Sequence, residues 1–300
     1  MPSPTGPLVT SDRVHAARTL AAESGTDLLV LTPGSDLRYL TGYDAHAMER
    51  LTALAVPRVG EPFLVVPRLE APMVDVSPAG ALGLDVLAWD ETDDAFALLA
   101  GEATARLGSA PTRVAVGART WAEHALGVQR ALPGSALELA GPVLDRLRMV
   151  KSAAEIEELA QAGAAIDRVH ARMAEFLTVG RTEAAVGADI AAAILEEGHV
   201  GVDFTIVGSG PNGASPHHEL SDRVIRAGDV VVVDIGGETA TGYRSDCTRT
   251  YVVGTANDFA KEIYDVVLRA QQAGVEAAVA GASLSDVDAA CRTIIADAGY

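Results

Sequence analysis

The chain has 300 residues, of which 49% are hydrophobic and 21% charged, and its 41 acidic against 23 basic side chains give a formal net charge of −18. This length and apolar content suffice for one large or two ordinary domains with buried cores, and the negative charge excludes nucleic acid as a partner because it repels a phosphate backbone. No apolar run approaches the roughly 18 to 20 residues that a membrane span requires, which excludes a membrane span. We also expect no membrane partner.

The N-terminal residues 1–7 lack the basic start and the apolar run of a secretory signal. The two cysteines, Cys247 and Cys291, have neither paired nor zinc-type spacing. The pattern therefore indicates neither a disulfide framework nor a thiolate metal site. We expect a cytoplasmic protein with reduced cysteines.

The first half of the chain alternates helix-like and strand-like segments. Amphipathic stretches predict helices, and short apolar runs bounded by Gly or Pro predict buried strands. The predicted helices are 13–23 and 93–107, and the predicted strands are 27–32, 52–56, 62–66, 86–89 and 113–116. This alternation is typical of an α/β domain.

A break at Gly141-Pro142 precedes a long helix whose start is marked by a capping box, Ser152 with Glu155 three residues later. Apolar positions spaced three and four residues apart predict one buried face of this helix, formed by Ile156, Leu159, Ala160, Gly163, Ile166, Val169, His170, Met173 and Leu177. Further segments predict a helix at 182–197, a strand at 202–207, a loop at 208–218, two more strands, and helices at 258–280 and from residue 285.

Two aspartates lie in the pair of strands after the loop. Asp234 ends the run DVVVVD, and Asp246 follows a short Gly-containing connection that predicts a β-hairpin. If the turn centres on Ala240, the two aspartates are directly opposed, with Cβ atoms about 4.5 to 5.5 Å apart. Carboxylates this close repel each other unless one is protonated or a divalent cation lies between them, and oxygen ligands of this type suit Mn²⁺.

A purely structural interpretation of the aspartates stays open. Asp234 can bond local backbone groups before Gly236-Gly237, and Asp246 can form a surface ion pair with Arg244 or Arg249. The two residues by themselves do not decide between a metal site and this alternative.

The loop GSGPNGASPHHE at 208–219 contains two adjacent histidines. Loops shaped by Gly, Pro and Asn on a rigid scaffold often carry catalytic groups. His217 is a candidate to donate a hydrogen bond to a tetrahedral intermediate, and His218 is a candidate for substrate binding in the same pocket. A solvated loop is the alternative for this pair. The remaining histidines are interpreted as packing or surface residues: His15, His46, His124, His170 and His199.

In order and spacing, the segments 209–217, 228–236 and 245–250 resemble the bacterial Xaa-Pro dipeptidases of the creatinase/prolidase family, the M24 pita-bread metallopeptidases. The resemblance extends to RLRMVKS at 146–152 and to LRYLTG at 37–42. It implies an α+β protein with an α/β creatinase-like N-terminal domain at 1–145, followed at 146–300 by the N-terminal part of a pita-bread catalytic domain.

The resemblance also implies the roles of site residues. Asp234 and Asp246 would be two of five ligands of two divalent metal ions, Mn²⁺ first and Co²⁺ or Zn²⁺ as alternatives, with Asp246 bridging the ions. His217 would assist the tetrahedral intermediate. Thr248 would support the bridging site without binding metal itself. The family's other ligands are a histidine and two glutamates. No histidine follows His218, so either the catalytic domain continues past Tyr300, as we expect, or the protein is a metal-free relative of the family.

The function that the resemblance implies is metal-dependent hydrolysis of the peptide bond preceding proline, in dipeptides or at peptide N-termini, by a cytoplasmic homodimer. Proline has no N–H and a fixed φ, so proteases that bind extended backbone lose contacts there. Two alternatives stay open. One is a creatinase-type hydrolase that cuts a C–N bond without metal, against which the paired aspartates argue, and the other is a catalytically silent pita-bread module that binds peptides or partner proteins.

Overall fold

The computed structural model describes residues 8–300, and the expectation for residues 1–7 lies outside the described residues. The chain divides into two compact units, one up to Glu155 and one from Ile156 onwards. No helix within residues 8–300 combines the length and apolarity needed to cross a bilayer.

The first unit contains a six-stranded sheet and six helices among its described residues. The strands are β1 (Leu28–Leu31), β2 (Ala53–Pro57), β3 (Phe63–Pro67), β4 (Asp85–Trp89), β5 (Arg113–Val116) and β6 (Ala136–Leu139). The helices are α1 (Ser11–Glu23), α2 (Ser35–Thr41), α3 (Ala71–Val76), α4 (Ala95–Leu107), α5 (Ala122–Ala131) and α6 (Gly141–Met149). The strand order is β4-β3-β2-β1-β5-β6. β2 is antiparallel to both neighbours, whereas the other pairs are parallel.

The structure confirms the predicted α/β alternation and all five predicted strands of this half. It corrects the break at Gly141-Pro142, because these two residues begin α6. Proline is favourable in the first turn of a helix, where its missing N–H would have no partner in any case. The predicted domain boundary at 145/146 falls within α6.

The central strands of this sheet are buried on both faces, as β1 shows. Leu29 and Leu31 belong to a cluster that includes Val14 of α1, whereas Leu28 and Val30 belong to a second cluster that includes Leu99 of α4. Successive side chains of a strand point to opposite faces. A strand covered on both sides therefore has a continuous apolar sequence rather than an alternating one, which is why the short apolar runs are informative.

Gly127 of α5 lies against the ring of Phe96 of α4. A Cβ at position 127 would be 2.4 Å from that ring, so Gly127→Ala is expected to lower the free energy of unfolding by about 1 to 3 kcal/mol through overpacking. Gly101 of α4 is the matched control, because an added Cβ there meets nothing within 4 Å. Gly101→Ala should raise stability by up to about 1 kcal/mol through helix propensity. Denaturant unfolding measures both, and equal effects would contradict the packing argument.

The second unit has three strands and five helices in the part of the chain that the structure describes. They are α7 (Ala153–Ala171), which starts just before the division, α8 (Met173–Phe176), α9 (Glu183–Glu196), β7 (Gly201–Ser209), β8 (Val230–Glu238), β9 (Cys247–Val252), α10 (Asp258–Ala277) and α11 (Leu284–Asp297). The strands form an antiparallel sheet in the order β7-β8-β9.

The capping box at the start of α7 is confirmed. The backbone N–H of Ser152 donates to Oε2 of Glu155 at 2.8 Å, and the N–H of Glu155 donates to Oγ of Ser152 at 3.3 Å. The predicted buried face of α7 is wrong for its first turns. Ile156 and Leu159 are 58% and 37% exposed, because the buried apolar residues of the helix begin only at Ala162.

Helices α7, α8 and α9 cover one face of the three-stranded sheet. Val231, Val233 and Ile235 of β8 point into this core, where they join Ile166 of α7 and Ile190 of α9. Because side chains alternate along a strand, Asp234 lies on the opposite face. That face, and the loop that follows β7, hold the candidate site.

Candidate active site

The hairpin of β8 and β9 is confirmed, but its register differs from the prediction. Asp234 pairs with Thr248, and the hairpin centres on Thr241 rather than on Ala240. Gly242 has a φ of 88°, and its N–H donates to the carbonyl oxygen of Thr239 at 2.9 Å. A glycine in this left-handed conformation closes a three-residue hairpin loop. The prediction of two directly opposed aspartates is therefore wrong.

Asp234 and Asp246 nevertheless share one face of the sheet. Asp246 precedes the partner of Asp234 by two residues, and residues two apart on an extended segment point the same way. Such diagonal neighbours are about 7 to 8 Å apart, within reach of a common ligand. Both aspartates line one open cavity of about 710 Å³, whose other lining residues are Phe204, Thr205, Ile206, His217, His218, Glu219 and Leu220.

Gly236 lies two residues after Asp234 on β8 and therefore on the same face of the sheet. A Cβ there would lie 2.5 Å from the carbonyl oxygen of Ser245 and 2.6 Å from Cε1 of Phe204, the residue opposite Gly236 on β7. Both distances are too short for packed atoms. Only glycine fits, and its missing side chain lets the Phe204 ring pack against the sheet beside the carboxylates.

The partners of the polar groups favour the metal interpretation over the structural alternative. Asp234 lies within β8 rather than at a turn, and its Oδ1 accepts a hydrogen bond from Oγ1 of Thr248 at 2.6 Å. Arg244 pairs with Asp203 and Glu238, at 2.9 and 2.5 Å. The Arg249 guanidinium faces Asp167 at 3.6 Å. Both arginines considered as partners of Asp246 are thus engaged with other carboxylates.

A buried pair supports the backbone next to Asp246. Nε2 of His199 lies 2.8 Å from Oγ of Ser245, and the N–H of Gly237 donates to the same hydroxyl at 3.2 Å. Burial lowers the pKa of His199. The packing interpretation is confirmed for His199, and also for His124 and His170, which are 2% and 8% exposed.

His217 and His218 follow a 3₁₀ turn, Gly210–Ala214, in the loop after β7. His217 is exposed and lines the cavity that contains the aspartates. His218 lines the same cavity, but its side chain is only 16% exposed and its Nε2 lies 2.8 Å from Oε2 of Glu183. One of its ring nitrogens is therefore already engaged by the protein.

Glu183 is a functional candidate that the sequence patterns do not predict. It follows the N-cap residue Thr182 of α9, and its side chain is completely buried. Burial raises the pKa of Glu183, but hydrogen bonds from Ser209, Ser221 and His218 outweigh that effect and lower the pKa to about 2. The only sequence signal is an acidic residue in a first helical turn, which is common at any helix start.

The residues present fit part of a metal site. Carboxylate oxygens are the ligands that Mn²⁺ and similar divalent cations prefer, and Asp234 and Asp246 bring two such groups to one cavity. Within residues 8–300, no group of three or more His, Cys, Asp or Glu side chains converges as a complete ligand set.

Comparison with known proteins gives two family matches that follow one another along the chain. Residues 13–150 match the creatinase/prolidase N-terminal domain, and residues 157–300 match metallopeptidase family M24. A protein of Mycobacterium tuberculosis named "Probable dipeptidase PepE" is 50% identical over 287 residues, which are 96% of this chain and 75% of that protein. An "Xaa-Pro dipeptidase" of Lactobacillus delbrueckii subsp. lactis is 30% identical over 281 residues, covering 93% and 75%.

Comparison with solved structures leads to the same family. The crystal structure of dipeptidase PepE from Mycobacterium ulcerans superposes with a TM-score of 0.90 at 50% identity, over 96% of this chain and 76% of that one. A dipeptidase from Pyrococcus horikoshii gives a TM-score of 0.86 at 30% identity, over 96% and 78%. The predicted creatinase-like and pita-bread fold is confirmed. The chain therefore belongs to the M24 metallopeptidases with a creatinase/prolidase N-terminal domain, and it is a peptidase.

Proposed function

We propose that the protein hydrolyses the peptide bond preceding proline, in dipeptides or at the N-terminus of longer peptides, with the help of two divalent metal ions. Mn²⁺ is the first choice of metal, and Co²⁺ or Zn²⁺ are alternatives. The observation that carries the proposal is the single cavity in which Asp234, Asp246 and His217 meet. We assign this chemistry to residues 146–300 and the creatinase-like domain to residues 1–145.

Asp234 and Asp246 would hold the metal, with Asp246 as the shared ligand. A divalent cation bound there supplies Lewis acidity and an activated water. The protein's own contribution is to fix the carboxylates. Thr248 donates to Oδ1 of Asp234, and such a supporting hydrogen bond orients a ligand and tunes its affinity. The Thr248 side chain therefore acts through Asp234.

His217 is proposed to donate a hydrogen bond to the oxygen of the scissile carbonyl as negative charge develops on it. The wall formed by Phe204, Ile206 and Leu220 is apolar and offers a surface to a prolyl ring, which has no N–H to satisfy. His218 contributes to the substrate-facing wall of the same cavity. Oligomeric state and compartment are part of the proposal, namely a homodimer in the cytoplasm, for which light scattering and cell fractionation are the tests.

The test uses the full-length protein, stripped of metal with a chelator and then reloaded with Mn²⁺, Co²⁺ or Zn²⁺. Release of proline from Ala-Pro and Leu-Pro is expected only in the reloaded protein. The rate on Ala-Pro should exceed the rate on Ala-Ala at least about 10-fold, because the apolar wall contacts the ring. Chelator-insensitive hydrolysis would point instead to creatinase-type chemistry. Absence of cleavage with every metal would identify a silent binding module.

A further inference from the structure

The carboxylate of Glu183 is buried within a ring of hydrogen-bond donors. A fully buried carboxylate is costly unless its oxygens are satisfied, and here both are. Oε1 accepts from the N–H and the hydroxyl of Ser209, at 2.8 and 2.6 Å. Oε2 accepts from Oγ of Ser221 at 2.5 Å and from Nε2 of His218 at 2.8 Å. Nδ2 of Asn212 lies 3.1 and 3.0 Å from the two oxygens.

These donors come from both ends of the loop that carries His217. Ser209 and Asn212 precede the histidine, whereas His218 and Ser221 follow it. The backbone at the start of α9 adds to the attachment, because the N–H groups of Glu183 and Ala184 donate to the carbonyl oxygens of Arg223 and Ser221 at 3.1 and 3.0 Å. The first turn of α9 therefore holds together the two ends of the loop that places His217 at the cavity.

A second contact closes the same loop near its base. Arg223 forms an ion pair with Asp229 at 2.7 Å, and it also donates to Oγ of Ser209 at 2.5 Å. Ser209 is thus shared between Glu183 and Arg223. The connected network leaves few alternative conformations for residues 209–221.

We infer that Glu183 is a positioning residue, whose buried carboxylate fixes the loop 209–221 so that His217 stays at the cavity of Asp234 and Asp246, with His218 serving as a tether. The inference concerns the geometry of His217 and rests on the proposed function for its catalytic consequence. A glutamine at 183 is a poor replacement for the glutamate. Its NH₂ group cannot accept hydrogen bonds, so the hydroxyl of Ser221 and the imidazole of His218 would have to change from donors to acceptors, and the NH₂ group of Asn212 would lose a partner.

The experiment compares Glu183→Gln with Glu196→Gln in the full-length protein. Glu196 belongs to the same helix, but its side chain is 63% exposed and pairs with Arg172. For Glu183→Gln, kcat on Ala-Pro should fall roughly 10- to 100-fold through misplacement of His217, while KM and Mn²⁺ affinity by calorimetry change little. Hydrogen exchange of residues 208–222 should accelerate. Glu196→Gln should change none of these quantities.

A double-mutant cycle with His217→Ala separates positioning from general loss of structure. If Glu183 acts through His217, Glu183→Gln adds less than about 3-fold in the His217→Ala background, because coupled residues are not additive. A full additive loss would overturn the inference. Should Glu183→Gln fail to fold, Ser221→Ala, which removes one donor, is expected to give the same pattern more weakly, and an additive loss for Ser221→Ala overturns the inference equally.

Failure of the proposed function gives a different result. If wild-type protein cleaves no Xaa-Pro peptide with any metal, that function falls, and hydrogen exchange alone decides the role of Glu183. Faster exchange confined to residues 208–222 in Glu183→Gln would then support anchoring of the loop. Unchanged exchange would overturn it.

Discussion

Asp234→Asn or Asp246→Asn is expected to lower kcat/KM for Ala-Pro at least about 10³-fold, because each change removes one of the charged ligands that we propose for the divalent cations. The loss should persist at high Mn²⁺ concentration if the remaining ligands cannot place the metal correctly. Steady-state kinetics over a Mn²⁺ titration measure the effect. Activity within about 10-fold of wild type in either variant would exclude that aspartate from the reaction.

Core substitutions usually lower the stability of a protein, but Asp234→Asn and Asp246→Asn should not lower that of the metal-free protein. In metal-free protein the two carboxylates repel each other, so removing one charge should leave Tm equal or slightly higher. Wild type should gain stability when Mn²⁺ is added, since a ligand that binds only the native state stabilises it, and the variants should lose most of this gain. Asp203→Asn is the matched control, because Asp203 belongs to the same sheet but pairs with Arg244 outside the cavity lining.

His217→Ala is expected to reduce kcat about 10²- to 10³-fold, the usual cost of removing one donor that stabilises a developing oxyanion. Because His217 is exposed, the substitution should leave the unfolding midpoint and Mn²⁺ affinity close to those of wild type. The contrast with the aspartate variants is diagnostic, since here the metal stays bound while turnover is lost. His46→Ala, at an exposed position of the first unit, is the control.

An effect of His217→Ala on KM alone would contradict a role in the transition state, since that pattern indicates uniform binding of substrate and transition state. A large loss of Mn²⁺ affinity would also contradict it, because His217 would then be a ligand rather than a donor to substrate. Calorimetry on the same protein preparation distinguishes the two results.

Five of the six strands of the first unit could be predicted from the sequence because they are short, apolar and bounded by turn residues, whereas the partly exposed edge strand β6 was not predicted. β1 and β5 are buried central strands, and their runs LLVL and RVAV have few polar interruptions. Helices α2 and α3 are shorter than two full turns, so they carry too few residues for a 3.6-residue period to stand out.

The hairpin register could not be predicted, although the hairpin could. Its register depends on Gly242 adopting a left-handed conformation, and several glycines and threonines in the connection allow other turns. Asp234 and Asp246 lie on a common face despite the wrong register, because the observed register differs from the predicted one by two residues, an even number. A displacement of one residue would have placed the carboxylates on opposite faces.

Glu183 could not be predicted because its role depends on tertiary contacts. Its partners Ser209, Asn212, His218 and Ser221 lie 26 to 38 residues away along the chain. A single sequence gives no signal that an acidic residue in a first helical turn is buried. The opposite error occurs in α7. Ile156 fits the helical spacing of apolar residues and was predicted to be buried, but the core does not extend to it and its side chain is exposed.

The position of Mn²⁺ in crystals of the full-length protein, located by its anomalous scattering, tests the proposed metal site most directly. We expect manganese within about 2.0 to 2.3 Å of carboxylate oxygens of both Asp234 and Asp246, with Asp246 shared between two ions. Manganese bound elsewhere, with both aspartates free of metal at saturating concentration, would contradict the proposal that Asp234 and Asp246 hold the metal.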